Sequence, residues 1–368
     1  MRLSCFDCGR SWPHDRLQTT CPACGMPLRV DVDLPRTDTP AEVIDASDSS
    51  LWRYHRVLPV PRNEAVTLGE GWTPLLEVDE GVWVKDESRN PTGSFKARGM
   101  TMAVSAATRL GAQRLVAPSA GNAAGALSAY GARAGVPVAV AMPADTPAAF
   151  VEECRLYGAE VELVPGTISD AGRWLSEHQE AGDFDVSTLK EPYRVEGKKT
   201  MGYELWEQFG GHLPDVILYP TGGGTGLIGM WKAFGEMSEM GWPVDPPPRL
   251  VSVQAEGCAP VVRALEEGAE RTRPWEDAAT AAFGLRVPAP IGGFLCLRAL
   301  RETEGTAVAV SEEDIASGTT SLARRSGIDV CPEGGAVWAA YLRLRDEGWI
   351  RPDQRVVVFN TGTGLKYR

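Results

Sequence analysis

The sequence predicts an α/β protein with two parallel-sheet domains, preceded by a small four-cysteine segment. Short apolar runs typical of strands alternate with longer stretches typical of helices, which is the pattern of β-α-β units. The 368 residues exceed what one hydrophobic core usually spans, so more than one domain is expected. Four of the eight cysteines fall within the first 24 residues, in the spacing of a separate metal-binding fold.

The composition narrows the classes of function. Hydrophobic residues make up 43% of the chain and charged residues 23%, with no long apolar run and no signal-like N-terminus. We therefore expect a cytoplasmic globular protein. Its net charge of −12 would repel nucleic acids and anionic membranes, so neither is expected as a partner. None of the four histidines lies beside an obvious nucleophile, which disfavours hydrolysis by a Ser-His or Cys-His pair.

Residues 1–35 form the first predicted domain, a zinc ribbon. The pairs Cys5-x2-Cys8 and Cys21-x2-Cys24 are separated by twelve residues, and each pair would present two thiolates to one tetrahedral ion. Four protein ligands leave no open coordination position, so the expected zinc is structural. The alternatives are two disulfides, which a reducing compartment disfavours, or a knuckle without metal. His14, between the pairs, is expected at the surface rather than among the ligands.

The remaining chain is predicted to begin with a connector and to continue as alternating strands and helices. Residues 31 to about 60 are rich in Asp, Thr and Pro, and Trp52-Arg53-Tyr54 should pack onto the main body. Apolar β-rich runs predict six strands, at Arg114–Ala117, Pro137–Met142, Val161–Val164, Asp215–Tyr219, Leu250–Gln254 and Arg355–Phe359. Helical periodicity predicts five helices, at Asn122–Arg133, Pro147–Tyr157, Lys198–Phe209, Leu227–Glu239 and Gly335–Arg345.

A glycine-rich segment, Tyr219-Pro-Thr-Gly-Gly-Gly-Thr-Gly226, links a predicted strand to a predicted helix. Open α/β sheets bind ligands at such junctions, outside the carboxyl ends of their strands. The glycines let several backbone N–H groups converge on an anion, and the helix N-terminus adds positive potential. We expect a phosphate here; the alternative is an ordinary turn. Nucleotide binding is disfavoured, because the segment has no Walker lysine and no acidic residue about 20 positions later.

A second segment places a lysine at the start of a helix. Asn90-Pro-Thr-Gly93 is a turn signature, and Ser94 is a predicted N-cap for a helix that contains Lys96 and continues through Met102. The helix dipole disfavours a cation in the first turn. Burial would lower the pKa of Lys96 further and yield the neutral amine that Schiff-base chemistry needs. The alternative is a solvated surface lysine.

Two further strand ends carry polar residues. In Ser119-Ala-Gly-Asn-Ala-Ala-Gly125, Ser119 and the following N–H groups could hold a carboxylate, and Asn122 can donate to a phenolic or phosphate oxygen. A simple helix N-cap is the alternative for this segment. The segment Asn360-Thr-Gly-Thr-Gly-Leu-Lys366 places two hydroxyls after the apolar strand 356–359.

In this order, the segments SFKARG, SAGNAAG, GGGTG and TGTGLK resemble those of fold-type II pyridoxal-phosphate (PLP) enzymes, whose fold is like that of the tryptophan synthase β chain. They look most like the threonine synthase family, particularly its members with an N-terminal CxxC ribbon. The resemblance covers nearly the whole chain, including Gly69–Pro74, Glu196–Glu204, Gln254–Pro260 and Cys331–Gly335. It suggests a homodimer with a large PLP-binding domain at 36–100 and 190–368, and a small domain at 101–189 that carries the substrate-carboxylate loop.

The resemblance implies a role for each segment. Lys96 would form a Schiff base with PLP and later move protons at the substrate carbons. The cofactor would be contacted by Asn122 at O3′, by Gly222, Gly223, Gly224 and Thr225 at its phosphate, and by Thr361 near the pyridine nitrogen. A hydroxyl at that nitrogen does not require a protonated ring, which suits α,β-elimination chemistry.

The implied activity is that of a lyase with a small amino-acid substrate. O-phosphohomoserine would lose its γ-phosphate and take up water at Cβ to give threonine. The substrate would be bound by Ser119, Gly121, Thr92, Arg194 and Lys199, with Lys198 as a second candidate beside Lys199. Arg194 matches the arginine that family members use for the substrate phosphate, and its planar fork suits that group. The alternative for Arg194 is a surface ion pair with Glu196.

Two departures from the family pattern leave the substrate open. Some members carry Asn-Ser six and five positions before this arginine, where this chain has Thr188 and Leu189, so one polar phosphate contact is expected to be missing. Gly293 stands where relatives commonly have Asp. The competing activity is β-elimination or β-replacement on threonine, serine or O-phosphoserine, as in a dehydratase or cysteate synthase. A binding protein without catalysis is the alternative from another class, and the intact Lys96 disfavours it.

Overall fold

The computed structural model describes all 368 residues, with thirteen strands and ten α-helices. The strands are β1 Arg2–Cys5, β2 Ser11–Trp12, β3 Leu28–Asp31, β4 Leu75–Asp79, β5 Val82–Asp86, β6 Arg114–Pro118, β7 Val138–Pro143, β8 Glu160–Val164, β9 Asp183–Asp185, β10 Val216–Pro220, β11 Arg249–Ala255, β12 Thr306–Val310 and β13 Val356–Asn360. The helices are α1 Lys96–Arg109, α2 Asn122–Ala134, α3 Ala148–Leu156, α4 Ile168–Glu177, α5 Tyr193–Gln208, α6 Thr225–Glu239, α7 Pro260–Glu266, α8 Gly293–Glu302, α9 Glu312–Ser326 and α10 Pro332–Asp346. None of these helices combines the length and apolar character that crossing a bilayer requires.

The chain divides into two compact units. Unit 1 comprises residues 1–71, 90–92 and 96–198, and unit 2 comprises residues 72–89, 93–95 and 199–368. The domain boundaries expected from the sequence stay predictions.

Unit 1 contains two sheets. Strands β1–β3 form an antiparallel ribbon in the order β2-β1-β3, and a parallel sheet has the order β8-β7-β6-β9. The central strands β6 and β7 are nearly continuous apolar runs, as expected for parallel strands that are covered on both faces. Leu3 and Val30 of the ribbon belong to the same hydrophobic cluster as Met100 of α1 and Leu115 of β6. The ribbon is therefore packed into unit 1 rather than tethered to it.

Unit 2 is built on one six-stranded sheet in the order β12-β11-β10-β13-β5-β4. All neighbours are parallel except the β4–β5 hairpin at one edge. Strands β10 and β13 lie at the centre, are buried along their whole length, and pair with Val216 opposite Val356 and Leu218 opposite Val358. This register brings the carboxyl ends of β10 and β13 side by side.

The six strands and five helices predicted from periodicity are present, with small shifts at their ends. The largest shift is in α5, which begins at Tyr193 rather than Lys198. The reason is the Glu191 carboxylate, which accepts the backbone N–H groups of Tyr193 (2.6 Å) and Arg194 (3.1 Å) and so supports an earlier first turn. Trp52 packs onto the body as predicted, and its Nε1 donates to Glu70 (2.9 Å).

Candidate active site

Residues 222–225, which we call the glycine loop, join β10 to α6 in unit 2. Gly224 has a left-handed φ of 80°, and α6 begins at Thr225. The back of the loop is tightly packed, because a Cβ on Gly222 would collide with Gly284 O and one on Gly224 with Cys296 Sγ. The loop therefore excludes side chains at these positions and has backbone N–H groups to offer an anion.

Thr361 follows β13, the strand beside β10, and is 5% exposed. The residue before it is fixed by its amide: Asn360 Nδ2 donates to Asp86 Oδ1 (2.9 Å), and Asn360 Oδ1 accepts from Cys331 N (3.2 Å). The structure thus brings Thr361 and the glycine loop to one edge of the same sheet, where open α/β sheets bind ligands. Cys331 Sγ lies 3.9 Å from Thr361 Oγ1. Burial raises the pKa of Cys331, which keeps it a neutral thiol.

Helix α1 of unit 1 begins at Lys96, so the lysine lies in the first turn as predicted. Lys96 is half-buried, while Arg98 and Gly99 in the same turn are buried. The predicted N-cap is wrong: Ser94, in unit 2, forms a backbone bridge with Gly362, and its buried Oγ has no hydrogen-bond partner. A buried hydroxyl in this state is costly, so an orphaned Oγ two residues from Lys96 is a polar atom that a bound group can satisfy.

The carboxylate segment predicted from the sequence lies between β6 and α2 in unit 1. Helix α2 begins at Asn122, and no side chain caps its N-terminus. Ser119 Oγ lies 3.4 Å from Gly121 N, which is too long for a firm hydrogen bond, so the simple N-cap alternative is not realised. A Cβ on Gly121 would meet nothing within 4 Å. The N-terminus of α2 therefore has no side-chain cap and adjoins open space at Gly121, which suits a carboxylate.

Arg194 of unit 1 is buried, with only 2% of its surface exposed. Its Nη1 donates to Val186 O (2.9 Å) and to Thr188 Oγ1 (3.4 Å), whereas its buried Nε has no partner. The surface ion pair with Glu196 is therefore wrong. Thr188, one of the two residues that replace Asn-Ser, is a polar neighbour of this guanidinium, and the loss of one polar phosphate contact stays a prediction. Thr92, also predicted to bind substrate, is half-buried with a left-handed φ of 59°.

Glu191, Arg194 and Lys198 form what we call the buried charge cluster of unit 1. Burial raises the pKa of Glu191 to about 7, although Arg194 and the backbone N–H groups of residues 193 and 194 oppose the shift. Burial, followed by repulsion from Arg194 and Lys96, lowers the pKa of Lys198 well below its usual value. Lys198 Cε also lies 3.0 Å from the position of a Cβ on Gly99, so this lysine packs against the first turns of α1.

Lys199, the lysine that we assigned to the substrate, is also buried, and in unit 2 its Nζ pairs with Glu236 Oε1 (2.9 Å). Glu236 also receives Lys232 and, at 2.9 Å, the hydroxyl of Tyr203. The attraction of these two lysines holds the pKa of Glu236 below its usual value despite burial. The charge of Lys199 is thus neutralised by a buried carboxylate, while that of Lys198 belongs to the charge cluster.

The departure at Gly293 has a steric reason in this chain. Gly293 begins α8, and a Cβ there would collide with the side chain of Thr272. Aspartate cannot be accommodated at this position without moving Thr272. The change is therefore matched to its surroundings in unit 2.

The four N-terminal cysteines converge as the ribbon prediction requires. The ligand atoms of Cys5, Cys8, Cys21 and Cys24 all lie within 4.8 Å of one another, and the four thiols are free. The Sγ atoms of Cys5 and Cys24 are 3.5 Å apart, and those of Cys8 and Cys21 are 3.7 Å apart. A tetrahedral zinc with Zn–S bonds of about 2.3 Å needs S···S distances of about 3.8 Å, so the four thiols fit this ion. His14 is not part of the group.

Sequence reasoning missed two features of these sites. Glu191 was not singled out, although an acidic residue just before a helix start is a recognisable N-terminal signal. Asp86, which holds Asn360, lies 274 positions away from it in the chain, so no local pattern connects the two residues.

The residues fit the phosphorylated pyridine cofactor that the family resemblance implies. The donor set at the glycine loop consists of backbone N–H groups and the Thr225 hydroxyl at the start of a 15-residue helix, with no acidic side chain in residues 220–226. The orphaned Ser94 Oγ is a second feature that a bound group can complete.

Known proteins similar to this chain agree with this chemistry. A family model described as "Pyridoxal-phosphate dependent enzyme" matches residues 66–362. A threonine synthase of Methanosarcina acetivorans is 36% identical, over 99% of this chain and 92% of the relative. One from Methanocaldococcus jannaschii is 33% identical, over 100% of this chain and 93% of the relative.

Solved structures share the fold. A threonine deaminase of the organism abbreviated T.th. is 28% identical with a TM-score of 0.65, over 77% of this chain and 87% of that one. A threonine deaminase isoform 2 of Solanum lycopersicum has a TM-score of 0.70 at 20% identity, over 95% of this chain and 92% of that one. The second likeness concerns the fold alone.

Proposed function

The chain belongs to the family of pyridoxal-phosphate-dependent enzymes and, within it, to the threonine synthase family; on this premise we propose that it converts O-phosphohomoserine and water into threonine and phosphate. In this lyase reaction the C–O bond at Cγ breaks, phosphate leaves, and the oxygen of water is added at Cβ. The carbon skeleton of the substrate is retained.

The proposed cofactor contacts follow the segments that match the family. The N–H groups of Gly222, Gly223 and Gly224 and the Thr225 hydroxyl would bind the cofactor phosphate, and the Thr361 hydroxyl would serve the pyridine nitrogen. Asn122 would donate to O3′, and the Lys96 amine would bind the carbonyl carbon. When bound, PLP supplies an electron sink that stabilises negative charge on carbons next to the substrate amino group.

The substrate is proposed to be bound through its two anionic ends. Ser119, Gly121 and Thr92 take the carboxylate, and the uncapped N-terminus of α2 supports them with backbone N–H groups. Arg194 takes the phosphate. Lys199 stays in the proposed substrate set by resemblance only, since its charge is balanced by Glu236. The buried, unpartnered Nε of Arg194 supports this role, since a dianion would satisfy it.

Lys96 is proposed to move the protons. Its amine removes one proton from the carbon that carries the amino group and one from Cβ. One proton is returned to Cγ after phosphate leaves, and one is returned to the carbon that carries the amino group once the oxygen of water has been added at Cβ. The position of Lys96 at the N-terminus of α1 favours the neutral amine, because the helix dipole disfavours a cation there.

The observation that carries the proposal is the 36% identity to a threonine synthase over 99% of the chain, together with a glycine loop that fits a phosphate. The test compares kcat/KM for O-phosphohomoserine with that for threonine, serine and O-phosphoserine under one set of conditions. We expect release of phosphate and formation of threonine from O-phosphohomoserine to dominate. Deamination of threonine or serine without turnover of O-phosphohomoserine would instead establish the alternative β-elimination activity.

We further propose that Cys5, Cys8, Cys21 and Cys24 hold one structural zinc ion, and that the enzyme is a cytoplasmic homodimer. The convergence of the four thiols supports the metal, and four ligands leave it no open position for catalysis. Elemental analysis of protein purified without chelator should give one zinc per chain. A Cys8→Ser, Cys24→Ser double variant should lose that metal, and stoichiometric zinc in this variant would contradict the assignment.

A further inference from the structure

The glycine loop of unit 2 is backed by two further layers. The carbonyl oxygen of Gly284 occupies the position where Gly222 would otherwise carry a side chain, and Val287 Cγ2 lies 3.0 Å from that position. Behind Gly284 in turn, Glu333 Oε1 accepts the Gly284 N–H at 2.7 Å. The same oxygen lies 2.7 Å from where Gly284 would carry its own Cβ. Gly284 therefore packs on Gly222, and Glu333 packs on Gly284. Each contact is possible only because Gly222 and Gly284 have no side chain.

Tyr367 contacts Glu333, the third residue of this group. Its hydroxyl donates to Glu333 Oε1 at 2.9 Å, the same oxygen that receives Gly284. Burial and the charge of Glu333 raise the pKa of Tyr367 well above its usual value, so the phenol keeps its proton and remains a donor. The ring of Tyr367 also stacks on Phe283, with an interplanar angle of 16° and centroids 6.3 Å apart.

The C-terminal segment that presents Tyr367 is itself anchored. Asp329 Oδ2 accepts from Thr363 Oγ1 (2.6 Å) and from Leu365 N (3.0 Å), and its other oxygen pairs with Arg368. The segment thus arrives at Glu333 as a fixed 3₁₀ turn, residues Gly364–Tyr367. Gly284 is solvent-exposed and lies in the 3₁₀ turn Phe283–Leu285, and its N–H is held by the hydrogen bond to the 4%-exposed Glu333 carboxylate.

We propose that Tyr367 and Glu333 are positioning residues for the cofactor phosphate: together they hold Gly284 against Gly222 and fix the shape of the glycine loop. This inference rests on the proposed role of that loop as the phosphate site. Neither side chain needs to touch the cofactor. Both act through the backbone of Gly284, and the turn Gly364–Tyr367 becomes part of the support for the cofactor site.

The test distinguishes the contribution of the phosphate to cofactor affinity from that of the rest of the cofactor. Full-length protein freed of cofactor is titrated with PLP and with pyridoxal, which lacks the phosphate, and Kd is measured for both. Wild type should bind PLP more tightly. Tyr367→Phe removes one hydrogen bond to a carboxylate and should reduce the preference for PLP over pyridoxal about fivefold, with an unchanged Kd for pyridoxal. Glu333→Leu should reduce the preference further, and Glu333→Gln, which keeps an oxygen for Gly284, should restore part of it.

Tyr203→Phe is the matched control, since it removes another tyrosine-to-glutamate hydrogen bond of 2.9 Å in the same unit. It should leave the PLP-to-pyridoxal preference at the wild-type value. If Tyr367→Phe weakens both ligands equally, or neither, the residue is only structural and the inference is overturned. If wild type itself does not prefer PLP, the phosphate role of the glycine loop fails first, so the two failures are distinguishable.

Discussion

The glycine loop and the buried charge cluster are both proposed to hold a phosphate, but the loop would do so with backbone groups and the cluster with charged side chains. The loop at residues 222–225 is neutral and is shaped by what packs behind it, Gly284 O and Cys296 Sγ. The cluster consists of charged side chains, Glu191, Arg194 and Lys198, that are at most 2% exposed. One site therefore depends on the absence of side chains, and the other depends on particular side chains with particular charges.

The difference fits what each phosphate is expected to do. A cofactor phosphate stays bound throughout turnover, and rigid backbone donors at a helix N-terminus suit a group that is permanently bound. A substrate phosphate must arrive, separate from carbon and leave. A guanidinium with a free Nε supplies strong charge-assisted bonds for such a group, at the cost of keeping charges buried between turnovers.

The largest effect is expected from removing the amine of Lys96. Lys96→Ala should abolish turnover and the absorbance band near roughly 410–420 nm, because Lys96 supplies the amine that is proposed to bind the cofactor carbonyl. Absorbance spectra and phosphate release measure the two effects. Lys190→Ala, at a lysine whose side chain is 48% exposed, is the control and should retain both signals. A fully active Lys96→Ala enzyme would refute the assignment of this lysine.

Truncating the charge cluster should impair the substrate and spare the cofactor. Arg194→Ala leaves a phosphate dianion short of a charge-assisted pair, which costs about 2–4 kcal/mol, or roughly 30- to 1000-fold in kcat/KM for O-phosphohomoserine. Arg194→Lys should recover only part, since an ammonium lacks the planar fork. The Kd for PLP should change less than about twofold in both variants. Unchanged turnover of O-phosphohomoserine by Arg194→Ala would move the substrate phosphate elsewhere.

Adding one methyl group to the glycine loop should instead weaken binding of the cofactor. In Gly222→Ala the new Cβ collides with Gly284 O, and relieving this overpacking costs about 1–3 kcal/mol, or roughly 5- to 150-fold in PLP affinity. Gly235→Ala is the control: it lies in the adjoining helix α6, where a Cβ meets nothing within 4 Å, and should bind PLP normally. Equal PLP affinity of Gly222→Ala and wild type would contradict the prediction and show that the loop can accommodate the added methyl group.

The same contrast explains how far the sequence alone could predict the molecule. The glycine loop is a local pattern after an apolar strand, so its position could be predicted from residues 219–226, and the same residues suggested the phosphate that we propose as its ligand. Its support was not, because Gly284, Glu333 and Tyr367 are brought together from distant parts of the chain. The charge cluster was only partly accessible. Arg194 was identified by resemblance, but its burial and its contact with Val186 O depend on the fold.

The sequence did not predict strand β5, for a related reason. Strand β5, Val82–Asp86, was missed because its last two residues are charged, which is unusual for a strand in the interior of a parallel sheet. Lys85 is nevertheless fully buried, and its Nζ donates to Glu204 Oε1 and to Thr73 O. A buried ion pair between residues 119 positions apart satisfies both charges, and no local periodicity reveals such a partner.

The smallest effect tests whether the charge cluster is electrostatically strained, as the neutral loop cannot be. Lys198 loses its proton at a lower pH in the folded protein than in the unfolded chain, because burial and the charges of Arg194 and Lys96 disfavour its ammonium more than Glu191 favours it. Between the lowered pKa and the ordinary lysine value of about 10.4, the unfolded chain binds more protons, so this lysine makes stability rise with pH.

Lys198→Met removes that contribution while keeping an unbranched chain in the same space. The stability of the variant relative to wild type should therefore be highest at neutral pH and should decline as the pH rises towards about 10.4, above which the wild-type lysine becomes neutral in both states. Thermal midpoints of both proteins at pH 7, 8.5 and 10 measure the trend, and Lys190→Met, at an exposed lysine, should show none. A difference between Lys198→Met and wild type that stays constant with pH would mean that Lys198 keeps an ordinary pKa. The cluster would then hold its charges without strain, and its contrast with the glycine loop would be one of composition only.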